Sequence, residues 1–357
     1  MLYFWGTIFE RGAEMYPETR HLIEAKMKQK IFPGAVFQFI EDQQEDVQVL
    51  GNAQIEPTVI PMAEDFLFDV ASLTKVVCTT TVMLRLFEAG KLTWDQPLHD
   101  LLPNFQNRRI TLRHLLTHTS DIQTYIPNRN QLNAAELREA YLKLEPGERL
   151  GEVVQYTDAG TILLGFLIEE LYQKDVIEVF RQEVLQPLQM SASLFLPEPS
   201  YDRIVPTQKQ SDGRILKGIT HDPKARILAE HAGNAGLFTN LKDLSKFAKM
   251  YLNLGRVQDK IYLHDKTIRE LLKDQTPTKA GERSLGWDLK FSPKDQAPLL
   301  FHTGYTGTFL MLDIKKQSAF IFLSNRVHLE DHRARYVAER DEILACYLKE
   351  RSNIYQK

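Results

Sequence analysis

The alternation of apolar and polar residues predicts strands at both ends of the chain, with helices between them. Residues 34–40 and 46–53 are rich in apolar and β-branched side chains on either side of a charged segment, which predicts a β-hairpin. Near the end of the chain, three similar runs separated by short turns predict strands over residues 299–304, 308–314 and 319–323. Early and late strands that pair antiparallel would form a discontinuous sheet within an α+β or α/β fold.

Helical periodicity dominates the middle of the chain. Val76, Met83 and Phe87 lie on one face of a helix that follows residue 75, and Gly90 is suited to end it. Residues 198–226 are polar and without periodicity, which predicts loops. The same reasoning predicts further helices over residues 17–30, 111–118, 134–143, 159–172, 175–185 and 334–350.

Composition indicates a globular protein whose ligand binds in a pocket. The 357 residues can bury a sizeable core and suit two packed lobes. With 25% charged residues and a formal charge of -3, the chain is not expected to bind nucleic acid or an anionic membrane. Cys78 and Cys346 lack the spacing of metal ligands, and buried free thiols are favoured over a disulfide.

The first residues predict neither a secretory signal nor a membrane anchor. Residues 1–9 are apolar, but this run is too short to span a bilayer and lacks the basic start of a signal peptide. Cytoplasmic residence is therefore the expectation, and action outside the cytoplasm stays an alternative. Met15 is an alternative to Met1 as the start, because codons for residues 10–12 would resemble a ribosome-binding site.

Ser72 and Lys75 provide the first candidate chemistry. They lie three residues apart where a helix begins, so that the lysine amine can reach the serine hydroxyl. This is a Ser-x-x-Lys nucleophile pair, although the same spacing also arises by chance in two ordinary helix residues. The context decides between these interpretations, because Tyr156-Thr157-Asp158 and His302-Thr303-Gly304 follow in the order of one catalytic pattern.

With the segments 112–120 and 232–238, these motifs make the chain similar to the serine β-lactamase and penicillin-binding-protein family. It resembles the branch of class C β-lactamases, D-alanyl-D-alanine carboxypeptidases and related esterases. The phrases at 221–223 (His-Asp-Pro) and 325–328 (Asn-Arg-Val-His) are closer to members that look like cell-wall peptide hydrolases or muropeptide amidases.

The resemblance implies an antiparallel sheet flanked by helices, with a mostly helical lobe inserted. Residues 15–75 and 235–352 would form the sheet domain and residues 76–234 the helical lobe, with the active site between them. No cofactor and no metal are expected. A small molecule or short peptide is the expected substrate, and β-lactams are expected as covalent ligands.

The resemblance also assigns catalytic roles. Ser72 would be the nucleophile, and Lys75 the first proton acceptor if its amine is kept partly neutral. Tyr156 would be a second base, with a core tyrosine as the alternative. The backbone amides of Ser72 and Tyr305 would form the oxyanion hole.

Five further residues are expected to contact substrate: Asp158, His302, Thr303, Gly304 and Asn234. Asp158 replaces the asparagine of many relatives, and it would equally serve as the N-cap of the next helix. His302 replaces a lysine and would offer a cation only below its pKa. Gly304 would let substrate approach the strand closely. Asn234 has a role in a turn as its alternative.

The other singled-out residues carry weaker expectations. His114 and His118 are four residues apart, but no acidic partner completes a metal motif, so both are expected to be structural. Asp121 stands where relatives usually have glycine, and the sequence does not explain this difference.

The sequence therefore predicts a metal-free serine hydrolase that forms an acyl-enzyme on Ser72. A D-stereospecific peptidase or muropeptide amidase is the first expectation, followed by a carboxylesterase and then a β-lactamase. The rival from another class is a penicillin-binding sensor that is acylated without turnover.

Overall fold

A seven-stranded antiparallel sheet joins the two ends of the chain in the computed structural model, which describes residues 14–198 and 201–354. The strands, in order across the sheet, are β3 (Ile60–Pro61), β2 (Gln44–Gln54), β1 (Gly34–Glu41), β11 (Ser318–Ser324), β10 (Thr308–Asp313), β9 (Pro298–Gly304) and β8 (Asp288–Phe291). Two small sheets pair β4 (Phe68–Asp69) with β5 (Phe238–Thr239), and β6 (Arg256–Val257) with β7 (Lys260–Ile261).

The predicted pairing of early and late strands is confirmed. Strand β1 pairs antiparallel with β11, so that Phe37 lies opposite Phe322 in the centre of the sheet. Because helices cover both faces there, every residue of β1 is buried, whereas β2 has exposed residues at alternate positions. Strands β3 and β8 were not predicted; each is short and lies at an edge of the sheet.

Eleven α-helices lie in the described residues, and they confirm the predicted helical middle of the chain. They are α1 (Pro17–Lys28), α2 (Thr81–Glu88), α3 (Leu98–Leu101), α4 (Leu112–Leu116), α5 (Ala134–Leu142), α6 (Ala159–Tyr172), α7 (Val176–Phe180), α8 (Pro223–Leu228), α9 (Leu241–Leu252), α10 (Asp265–Glu270) and α11 (Arg333–Ile354). Helix α8 lies at the end of the predicted loop region, and α3, α9 and α10 were not predicted.

The helix after Ser72 differs from the regular one that periodicity predicted. Residues Lys75–Thr80 form a π-helical stretch before α2 begins, and the Thr81 hydroxyl donates a hydrogen bond to the Val76 carbonyl oxygen across it. Widened turns of this kind are frequent at functional sites. The predicted end is confirmed, since Gly90 follows α2 with a φ of 66°, in the left-handed region.

Two apolar cores lie on the two faces of the sheet. On one face, α1 and α11 cover an aromatic layer that includes Phe37, Phe39, Phe309 and Phe320. On the other face, α2, α6 and α9 pack with the sheet into a larger core. Cys78 is a buried free thiol, as predicted, whereas the Cys346 thiol is free but only partly buried.

The division into a sheet domain of residues 15–75 and 235–352 and a lobe of residues 76–234 stays a prediction. The expectations for residues 1–9 lie outside the described residues. Within the described ranges, no helix has both the length and the apolar sequence needed to cross a bilayer.

Candidate active site

The turn after β4 presents Ser72 at the start of its helix. Ala71 adopts a left-handed φ of 46°, and its amide donates to Asp69 Oδ1 at 2.8 Å. Asp69 Oδ2 accepts from the His221 amide at 2.7 Å, and the Asp69 carbonyl oxygen accepts from the Thr306 hydroxyl at 2.6 Å. The turn is therefore tied both to the loop before α8 and to the turn between β9 and β10.

Lys75 lies directly behind Ser72. Its side chain is 1% exposed, and Nζ donates to Ser72 Oγ at 2.7 Å and to the Asn234 carbonyl oxygen at 3.1 Å. Nζ also lies 2.7 Å from Asp158 Oδ1. Three acceptors thus surround one buried ammonium group.

This environment favours the charged form of Lys75. Burial alone would lower the pKa of Lys75, but the Asp158 carboxylate and the Tyr156 oxygen more than offset burial and raise it above its ordinary value. The expectation of a partly neutral amine is therefore not supported. In the charged form Lys75 donates to the serine oxygen, and its role as the first proton acceptor stays a prediction.

Tyr156 forms one wall of the opening above Ser72. Its side chain is 47% exposed, so the alternative of a core tyrosine is wrong. The Lys75 Nζ lies 5.4 Å from the ring centroid, and the centroid of the His118 ring lies 4.4 Å from it. Tyr156 is thus held beside the ammonium group and open to the cleft.

Asp158 does not cap helix α6. Its side chain makes no capping hydrogen bond, so the N-cap alternative is wrong. Its two oxygens instead contact Lys75 at 2.7 Å and Lys224 at 3.0 Å. Burial would raise the pKa of Asp158, yet the charges of both lysines lower it, and the carboxylate is ionised.

His302 is a neutral acceptor in this site, which corrects the expectation of a titrating cation. Burial, with the positive charges of Lys75 and Arg283, holds the pKa of His302 well below its ordinary value. Its Nδ1 lies 3.0 Å from the Thr303 carbonyl oxygen, which can only accept, so Nδ1 carries the proton. The remaining nitrogen, Nε2, is buried and has no hydrogen-bond partner among the described residues.

Strand β9 and the following turn bring three more predicted residues to the cleft. Thr303, Gly304 and Tyr305 all line it. A Cβ atom on Gly304 would lie 2.3 Å from the Val70 carbonyl oxygen, so the strand needs glycine for its contact with the serine turn. The amides of Ser72 and Tyr305 have no hydrogen-bond acceptor within the described ranges, as an oxyanion hole requires.

Asn234 contacts the site through its backbone. Its side chain is fully buried and donates to Asp222 Oδ1 at 3.1 Å, while its carbonyl oxygen accepts from Lys75. The side chain does not line the cleft. A direct contact between Asn234 and substrate stays a prediction.

Sequence reasoning missed Lys224 and Arg283. Lys224 follows the His-Asp-Pro phrase, which is the one signal that could have pointed to it. Arg283 lies in an unpatterned segment before β8, and the sequence gives no indication of its role. Its side chain is 6% exposed, with Nη1 3.2 Å from Asp288 Oδ1. Its Nε and Nη2 have no hydrogen-bond partner among the described residues, and the guanidinium lies 5.9 Å from the Tyr156 ring.

The cleft has a volume of about 380 Å³ and a positive lining. Four arginines line it, namely Arg283, Arg326, Arg333 and Arg340, against one lining carboxylate, Asp288. Arg326 is also paired with Asp331, and Arg340 with Asp341. A larger cavity of about 670 Å³ beside α2 contains none of these side chains. The smaller cleft is the candidate site because it alone of the two contains Ser72.

The histidines considered as metal ligands have structural contacts. His114 Nδ1 accepts from the Thr111 amide at 3.1 Å and helps to cap α4, and His118 Nδ1 accepts from the Thr157 amide at 3.4 Å. In the described part of the chain, one group has metal-ligand spacing: Glu169, Asp175 and His231. The Glu169 carboxylate already accepts from the Val176 amide and contacts the His231 ring, which explains it as a structural cluster.

Asp121 has a backbone explanation. It adopts a φ of 47°, in the left-handed region that glycine adopts without strain. Its side-chain Oδ2 also accepts from the Arg149 amide at 2.9 Å. The position therefore requires a left-handed φ, which glycine adopts without strain and Asp121 adopts here.

Comparisons with known proteins agree on one family. The Beta-lactamase family model matches residues 19–343. The chain is 26% identical over 306 residues to N-acetylmuramyl-L-alanine amidase of Bacillus subtilis (strain 168). The alignment covers 73% of this chain and 68% of the relative. The chain is 25% identical over 305 residues to a protein of Escherichia coli (strain K12) named "Putative D-alanyl-D-alanine carboxypeptidase", covering 73% and 69%.

A solved structure shows the same fold. A class C β-lactamase superimposes with a TM-score of 0.73 at 19% identity, covering 92% of this chain and 96% of that protein. Together these matches confirm the resemblance and the fold that the motifs predicted.

Proposed function

Because the chain belongs to the β-lactamase family, whose members are serine hydrolases, we propose that it forms an acyl-enzyme on Ser72 and releases it to water. The observation that carries this proposal is the 2.7 Å contact between Lys75 Nζ and Ser72 Oγ at the bottom of an open cleft. We assign the substrate to small amides or esters related to D-alanyl peptides or muropeptides.

We assign Tyr156 as the acceptor of the Ser72 proton. Lys75 is an ammonium group that donates to the serine oxygen, and beside it the Tyr156 oxygen acts as a phenolate that takes the proton of the hydroxyl. The Ser72 oxygen then attacks the carbonyl carbon of the substrate while the Ser72 and Tyr305 amides receive the developing oxyanion. The bond to the leaving group breaks, and the leaving group takes the proton from Tyr156.

Deacylation reverses the same proton path. A water molecule loses a proton to Tyr156 and attacks the ester carbon of the acyl-enzyme. The bond to Ser72 Oγ breaks, and the serine oxygen regains its proton. Lys75 keeps its charge throughout and stabilises each anionic state beside it.

Arg283 indicates an anionic substrate. Two buried donors without partners are costly unless a ligand uses them, and a carboxylate or similar group matches the planar guanidinium. His302 is neutral and presents an acceptor, so we assign the anion-binding role to Arg283. This favours a peptide with a free carboxylate over a neutral ester.

The test uses an N-acylated D-alanyl-D-alanine peptide and its C-terminal amide. We expect the acid to be hydrolysed with the lower KM, and Arg283→Gln to raise that KM about 10- to 100-fold, the effect of a lost charged hydrogen bond. The amide should change little. Arg214→Gln removes an equally charged but exposed arginine and should leave both KM values unchanged.

Two results would contradict the proposal. Equal KM values for acid and amide, with equal effects of Arg283→Gln, would remove Arg283 from substrate binding. A single burst of product followed by no turnover would support the acylated sensor instead. Penicillin should add one acyl group to Ser72, which intact-mass spectrometry detects and Ser72→Ala should abolish.

A further inference from the structure

A closed ring of polar contacts surrounds Lys75, and it contains a second lysine. Asp158 bridges Lys75 at 2.7 Å and Lys224 at 3.0 Å, and Lys224 Nζ continues to Asp222 Oδ2 at 2.7 Å. Asp222 Oδ1 accepts from the Asn234 side chain at 3.1 Å, and the Asn234 carbonyl oxygen accepts from Lys75 at 3.1 Å. The ring thus returns to the lysine behind Ser72.

The position of Lys224 is not explained by its own helix. It lies in the first turn of α8, where the helix dipole favours negative groups and Asp222 provides the N-cap by accepting from the Ala225 amide at 2.8 Å. Its side chain is nevertheless mostly buried between two carboxylates. Burying an ammonium group there is favourable only because Asp158 and Asp222 receive it.

We propose that Lys224 is a positioning residue that holds Asp158 against Lys75 and offsets the negative charge of that carboxylate beside the cleft. This inference rests on the proposed function. With Lys224, the ring has two cations and two carboxylates and no net charge. Without it, one negative charge would remain beside a cleft assigned to an anionic substrate. Lys224 therefore restores the neutrality that the asparagine of many relatives would give at position 158.

The other groups around Lys75 leave this assignment to Lys224. Those that face Lys75 are Tyr156 before α6, His118 after α4, His302 on β9 and Arg283 before β8. Burial holds the pKa of both His118 and His302 well below the ordinary value, so neither is charged at neutral pH. Arg283 is an additional fixed cation. Among the described residues, the cation that forms an ion pair with Asp158 in addition to Lys75 is Lys224.

The proposal predicts opposite pH shifts in two variants. The rate of Ser72 acylation should rise with pH as the base that accepts the Ser72 proton becomes available. Lys224→Met removes a positive charge and should move this rise up by about one pH unit, slowing acylation about tenfold at neutral pH. Asp158→Asn removes a negative charge and should move the rise down by a similar amount. The double variant should lie near the wild type.

The experiment measures labelling of Ser72 by a neutral fluorophosphonate between pH 5 and 10, with intact-mass detection. Lys224→Arg keeps the charge and should keep the wild-type pH profile. Lys209→Met removes a lysine from the exposed pair with Glu56 and should also leave the profile unchanged, which controls for net charge. A purely structural role would slow both single variants without moving their pH profiles in opposite directions.

The failures of the two proposals are distinguishable. If the wild type is not labelled at Ser72, the proposed function is overturned, and the role of Lys224 with it. If Ser72 is labelled but Lys224→Met has the wild-type pH profile, or shifts in the same direction as Asp158→Asn, only the role of Lys224 is overturned.

Discussion

Two buried ionic clusters in this protein differ in what surrounds them. Under α11, Arg351 contacts Asp313 and donates to Ser318 Oγ at 3.1 Å, within the aromatic layer on the sheet. Behind Ser72, Lys75 and Asp158 also form a close pair, but Asp158 is partly exposed. The first cluster is sealed by packed side chains, whereas the second opens into a cleft.

The difference shows that a buried ion pair alone does not mark a functional site. Both clusters alter the pKa values of their members. In the aromatic layer, burial raises the pKa of Tyr347. Burial would lower the pKa of Arg351, but the charges of Tyr347 and Asp313 raise it. Only the second cluster contains a nucleophile and lies beside donors without partners, those of Arg283. A nucleophile that lines an open cleft, beside buried donors without partners, distinguishes the candidate active site from structural support.

Ser72→Ala should separate activity from stability most strongly. Turnover should fall by roughly 10⁴-fold or more, because the acyl-enzyme cannot form. The free energy of unfolding should change by less than about 1 kcal/mol, since among the described residues the hydroxyl is hydrogen-bonded to Lys75 alone, and Lys75 keeps two other acceptors. Steady-state kinetics and urea unfolding measure the two effects. Retained wild-type turnover would mean that Ser72 is not the nucleophile.

Arg351→Met should have the opposite outcome. It leaves the Asp313 carboxylate buried without its cation, and this costs about 3 to 5 kcal/mol in the free energy of unfolding. The kcat per folded molecule should be unchanged, because Arg351 is not among the residues of the cleft. Urea unfolding combined with active-site titration tests both parts. A proportional loss of kcat would show that the two clusters are coupled through the sheet.

The sequence predicted the parts of this comparison that depend on local pattern. Five of the seven strands of the central sheet, the helices around α6 and the Ser72–Lys75 pair follow from periodicity and spacing, and the motifs indicated the family. The roles of Arg283 and Lys224 could not be predicted, because they depend on contacts between distant segments: Lys224 reaches Asp158 across 66 positions of chain. The charge of His302 likewise depends on burial and on two distant cations.

Asp69 provides a smaller test, since it is a buried carboxylate that no side-chain cation contacts by hydrogen bond among the described residues. Burial raises the pKa of Asp69 to about 6, above its value in an unfolded chain. The folded state therefore binds this proton more tightly. The stability that Asp69 contributes is fully present below about pH 4 and is lost as the pH rises through about 6.

Relative to Asp69→Asn, the wild type should gain about 2 kcal/mol in the free energy of unfolding between pH 7 and pH 4. The variant lacks the titrating group but keeps all other acids, so it isolates this contribution. Urea unfolding of both proteins at several pH values gives the difference. A difference that stays constant with pH would show that the carboxylate is ionised throughout, held so by its two backbone donors.

The smallest expected effect is the absence of a pH response in substrate binding. His302 is neutral above its lowered pKa, and an arginine stays charged, so the charges that meet an anionic substrate should not change between pH 6 and 8. KM for the D-alanyl peptide acid should therefore vary less than about twofold over this range, in parallel with KM for its amide. A histidine of ordinary pKa in the anion-binding role would instead make the acid KM rise severalfold while the amide KM stayed flat. His302→Gln is the matched control, because the glutamine side-chain oxygen can replace the Nε2 acceptor and cannot titrate. A rise in the acid KM that occurs in the wild type and disappears in His302→Gln would return the anion-binding role to His302.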